Sequence, residues 1–99
     1  MSYLIQILLP TSLSERSRTT IERVKHELTD YFGGVTMHID APAEGLWKEG
    51  GLVDEDRIVV AEVMVDSLDT SWWAGYRKRL ESLFEQKELV IRSFEIDRL

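Results

Sequence analysis

The chain has 99 residues, 43% of them apolar and 30% charged, with a net charge of −6 and no cysteine. That leaves room for one domain with one modest core, and it excludes disorder, disulfides, thiol catalysis and thiolate metal sites. No apolar run approaches the ~20 residues that span a bilayer, and an acidic chain lacks the electrostatic footprint of a nucleic-acid binder.

Tyr3 to Leu9 is a short apolar run stopped by Pro10 and reads as a buried strand. Before it, the N-terminus lacks the basic start and cleavage site of a signal peptide, so with no cysteine the expected location is the cytoplasm. Thr11, Ser12 or Ser14 then caps a helix with Glu15 in its first turn. Its inward stripe is Ile21, Val24, Leu28 and either Tyr31 or Phe32, and Gly33-Gly34 ends it. Val35 to Asp40 alternates as a second strand, with Val35, Met37 and Ile39 on the side of the first helix.

Ala41 to Asp56 carries Pro42, Gly45, Gly50 and Gly51, with Leu46 and Trp47 set among acids. At this length it is expected to be a functional lid or a mobile hairpin tip. Most of the negative charge lies nearby, since residues 41–69 hold eight acids against two bases. Asp54-Glu55-Asp56 lacks the ligand spacing of a calcium loop and reads as a solvated turn.

Arg57 to Val65 is apolar on both faces, as in a central strand whose sheet is covered on both sides. Asp69 caps a second helix with Trp73, Tyr76, Leu80, Leu83 and Phe84 on its inward stripe. Trp72 and Trp73 cannot both face inward, so one is core and the other a candidate contact surface. Gly75 inside this helix suggests close packing at that point. Arg77-Lys-Arg79, faced by Glu81 and Glu85, reads as a solvated surface. Leu89 to Ile96 is the last strand.

The order is β-α-β-β-α-β, and right-handed crossovers make it a single α+β, ferredoxin-like domain over residues 1–99. The sheet is four-stranded and antiparallel, with both helices on one face and strands one and three in its centre. Its other face collects Leu4, Gln6, Leu8, Thr36, His38, Ile58, Val60, Glu62 and Met64. The last strand adds either Val90, Arg92 and Phe94 or Leu89, Ile91 and Ser93. So large an apolar patch is expected to be covered by a second copy, giving a homodimer with a cavity between its sheets.

Gln6, His38 and Glu62 then share one layer. A buried carboxylate beside a histidine is raw material for general acid–base chemistry, because burial raises the acid's pKa. His38 and Glu62 are the catalytic candidates, and Gln6, His38, Trp47 and Glu62 the ligand-binding ones. A structural alternative ranks ahead, with Glu62 and His38 hydrogen-bonding across the dimer interface to set its register. Trp47 is either a lid over the cavity or a packing residue on the sheet or partner. There is no Gly-rich phosphate loop, zinc spacing or nucleophile elbow, so neither a metal nor another cofactor is expected. The reading is a small-molecule binding protein or cofactor-free enzyme; the alternative is a protein-interaction module docking through the acidic 41–56 loop and Trp47.

Three segments carry a resemblance across nearly the whole chain: Phe32-Gly-Gly-Val-Thr36, Ala41-Pro-Ala-Glu-Gly-Leu-Trp47 and Trp72-Trp-Ala-Gly-Tyr-Arg77. With Leu80-Glu81 and Phe84-Glu-Gln86, they resemble a group of small, uncharacterised bacterial proteins. That resemblance implies a bacterial, stand-alone domain and carries no chemistry. In topology alone the chain is similar to the dimeric α+β barrel proteins, among them small monooxygenases and isomerases.

Overall fold

A computed structural model describes residues 1–11, 15–49 and 52–99, without the side chains of residues 40–49 and 52–57. The elements are β1 (Ser2–Thr11), α1 (Glu15–Phe32), β2 (Thr36–Glu49), β3 (Leu52–Val65), α2 (Thr70–Leu83) and β4 (Ile91–Ile96). They form one antiparallel sheet in the order β2-β3-β1-β4, the expected ferredoxin-like arrangement with β1 and β3 central.

The core lies between the sheet and the helices. Ile5, Ile7 and Leu9 from β1 and Val59, Ala61 and Val63 from β3 meet Ile21, Val24 and Leu28 from α1. Trp73, Tyr76 and Leu80 close it from α2. Phe32, rather than Tyr31, completes the α1 stripe, and Tyr31 is 63% exposed. Ile39, expected on the core side with Val35 and Met37, is 43% exposed instead, whereas those two pack against the core.

β1 runs through Pro10 to Thr11 rather than stopping at Leu9. Leu8 N–H donates to Val90 at 3.0 Å, toward β4. Proline has no N–H, and two positions on, at Pro10, that donor would point past the start of β4, so the ladder loses nothing. α1 ends at Gly33, whose φ of +83° needs the freedom of glycine. Of its proposed caps, Ser12 and Ser14 lie outside the described residues. The Asp69 carboxylate caps α2 by accepting from Trp72 N–H at 3.0 Å.

The described residues of 41–56 are strand rather than irregular loop. β2 and β3 continue through it and pair out to Glu49 opposite Leu52, while the Leu52–Asp56 part of β3 has β2 as its pairing partner. Of the two expectations the pairing matches a hairpin, but as paired strand rather than an irregular stretch, because proline and glycine do not break strands everywhere. Pro42 lies where the register shifts, between His38 and Ala43 on an edge strand, and such a bulge tolerates a missing donor.

Gly75 also departs from expectation. A Cβ built there would meet nothing within 4 Å, so close packing does not explain it. Arg77 and Lys78 are exposed as expected, but Arg79 reaches across to Glu27 on α1, and Glu81 accepts from Leu89 N–H at 2.9 Å.

Candidate functional site

The sheet face away from the helices is built in rungs, because paired residues of adjacent strands share a face. Ile7 is paired with Ile91, which packs on the core, so Arg92 and Phe94 lie on the open face beside Gln6 and Leu4. This settles the register that periodicity leaves open for the last strand. One rung is apolar, Met64–Leu4–Phe94, and the next is polar, Glu62–Gln6–Arg92. The third rung is His38–Val60–Leu8, and Thr36 is the β2 partner of Glu62 in the polar one. Ile58, expected on this face, is 7% exposed, because the chain around Gln86 to Val90 covers that corner.

The polar rung, joined diagonally by His38 from the next rung, is a continuous hydrogen-bonded row. The Arg92 Nε donates to Gln6 Oε1 at 2.8 Å, and Gln6 Nε2 donates to Glu62 Oε2 at 2.7 Å. His38 Nε2 lies 2.7 Å from Glu62 Oε1 and is the donor in that bond. One residue from each strand therefore contributes, and both Glu62 oxygens are satisfied within a single chain. The bond between His38 and Glu62, expected across an interface, spans neighbouring strands of one chain.

The electrostatics run opposite to the expectation that burial raises the Glu62 pKa. The hydrogen bond from His38, then that from Gln6, outweigh the effect of burial and hold it below the usual carboxylate range. The Glu62 side chain keeps 19% exposure and His38 50%. At neutral pH Glu62 is therefore an oriented carboxylate, suited to accept a proton or hold a donor and unsuited to serve as a general acid.

Arg92 is only an optional member of this face in the sequence, since a residue's side depends on pairing that periodicity cannot supply. Its guanidinium lies 5.8 Å from the Phe94 ring centroid. Beyond Nε, it donates to no acceptor among the described residues. Trp47 is not brought to the row within one chain. It pairs with Asp54, eight positions along β3 from Glu62, or roughly 26 Å at strand rise. Among the described residues no three His, Cys, Asp or Glu side chains form a metal cluster, and no helix is long and apolar enough to cross a membrane.

No protein-family model matches the chain, and neither does any curated protein. Solved structures do. The divalent cation tolerance protein Cut A1 from Thermus thermophilus has a TM-score of 0.65 at 17% identity, over 99% of this chain and 86% of that one. A mutant of CutA1 from Pyrococcus horikoshii gives 0.61 at 14% identity, over 98% and 85%. The periplasmic divalent cation tolerance protein CutA from Archaeoglobus fulgidus gives 0.59 at 17% identity, over 99% and 86%. At such identities the likeness establishes a shared ferredoxin-like fold, and the functional argument rests on this chain's own residues.

Proposed function

We propose that two copies of this chain associate through their open sheet faces, and that the His38–Glu62–Gln6–Arg92 row binds a small organic acid between them. The observation that carries this reading is the row itself. It adjoins an apolar rung whose Met64 and Phe94 are 53% and 46% exposed, a surface that favours being covered. Because both Glu62 oxygens are already satisfied, covering the row leaves no orphaned carboxylate. The free end of Arg92 offers a two-pronged donor to a carboxylate or phosphate, and Leu4 and Phe94 offer apolar surface to the rest of the molecule. Glu62 with His38 supplies a base and a proton carrier at the far end of the row, so cofactor-free proton transfer is within its reach.

The test is Glu62→Gln. A panel of small carboxylic acids is screened on the parent protein by thermal shift, and the best ligand is titrated into the variant. Loss of binding with an unchanged melting curve and unchanged mass supports the proposal. A variant that unfolds or falls to single chains assigns Glu62 a structural role.

Two observations favour other readings. The likeness to divalent cation tolerance proteins, with an imidazole and a carboxylate side by side, suits a divalent cation held by His38 and Glu62. Further ligands would then come from a second copy. Zinc titration of the parent and of His38→Ala separates this reading from the first. The β2–β3 arm, which carries Trp47 beyond the body of the sheet, suits a protein-docking role. That role requires Trp47→Ala to lose a partner without changing stability.

A further inference from the structure

We infer that the groove between α1 and α2, on the side of the sheet opposite the polar row, is a second ligand site, one that takes a small organic cation with an apolar body. The groove has a volume of about 710 Å³, within the range of small-molecule sites. Gly75 lines it, and outside its own helix backbone and chain neighbours no atom lies within 4 Å of where a Cβ would stand. An interior helical glycine with empty space above it has no packing role among the described residues, but it does leave room for an occupant.

One wall is aromatic. The Trp72 ring stacks with both Tyr31 and Tyr76, with centroids 4.7 and 5.0 Å away. Most of the Tyr31 ring is left in solvent at the groove's edge.

The charge of the groove selects the ligand. Arg79 is consumed by Glu27, both of whose oxygens it meets, and Tyr76 donates its hydroxyl to the same carboxylate at 3.2 Å. Within the lining that pair is neutral and leaves no free cation, while Arg23, 3.8 Å from the same carboxylate, stands outside the lining. Asp30, also in the lining, has no hydrogen bond or ion pair among the described residues. An aromatic wall with one unpaired carboxylate and no unpaired cation in the lining favours an organic cation over an anion.

The probe is benzyltrimethylammonium, with benzoate as its anionic counterpart, titrated into the 15N-labelled protein. The expected result is saturable shifts of the Gly75 amide and the Trp72 indole with the cation, without shifts at Gln6 or Glu62. Asp30→Asn weakens this binding about three- to fivefold. Gly75→Leu abolishes it while spectral dispersion is kept; should that variant fail to fold, Ser71→Leu fills the groove from an exposed position of α2. Equal shifts with benzoate, undiminished binding in the filled groove, or no shift at all overturns the inference. So does a change of mass in Gly75→Leu without cation binding in the parent, which would assign the groove to chain–chain contact.

Discussion

Replacing Met64 by lysine places a charge on the apolar rung of the surface on which self-association is proposed. Met64 is 53% exposed in the single chain. Fully burying such a side chain contributes about 2 kcal/mol, so covering its exposed half contributes about 1 kcal/mol per copy. A two-fold contact counts that twice. Lysine forfeits this gain and adds a polar group without a partner, at about 1–3 kcal/mol per copy. The total of about 4–8 kcal/mol corresponds to at least a thousandfold weaker association. The chain's own fold is expected to stay within about 0.5 kcal/mol of the parent, because nothing in a single copy packs tightly at that position. Sedimentation velocity at micromolar concentration, with circular dichroism to confirm the fold, makes the comparison. The expected result is an associated parent and a single-chain variant. Equal sedimentation of the two proteins, or a parent that already sediments as one chain, refutes the reasoning.

Gly75→Ala should stabilise the protein by up to about 1 kcal/mol, read as a higher urea midpoint, because alanine is the better helix former and its methyl meets nothing. A lower midpoint would show that the glycine has a packing role after all. Glu27 governs the response to acid. Burial pushes its carboxyl up, but the bonds and charge of Arg79, with help from Tyr76 and Arg23, outweigh this and hold it below the ordinary 4.5. A depressed carboxylate contributes stability that is present above the unfolded value and lost as pH falls through the folded one. Glu27→Gln should therefore be less stable than the parent at pH 7, with the gap closing below about pH 4.5. A gap of constant size across that range would remove the ion pair from the explanation.

Alternation and helical spacing made most of the fold legible. Ile5, Ile7 and Leu9 and the stripes through Val24 and Leu80 are buried as their periodicity requires. Asp69 announced its helix because an acid at that position has one local job. What failed depended on partners remote in sequence. Glycine and proline in residues 41–56 signalled a loop, since the rule that reads them cannot see the edge position and bulge that accommodate Pro42. Arg79 looked solvated because its acid lies on another helix. Gln6, His38 and Glu62 shared a face by parity, yet the direction of the Glu62 shift turned on which neighbours donate to it. Arg92 joined the row once pairing with β1 fixed its side.

The central claim, that a second copy covers the open sheet face, is tested most directly by the three methionines. Met1 is 81% exposed, Met37 packs against the core, and Met64 stands on the face in question. With 13C-labelled methionine methyls and a soluble nitroxide, the claim predicts that Met64 is shielded from broadening nearly as well as Met37. Broadening of Met64 as strong as that of Met1 at micromolar concentration would show the face bare and contradict it.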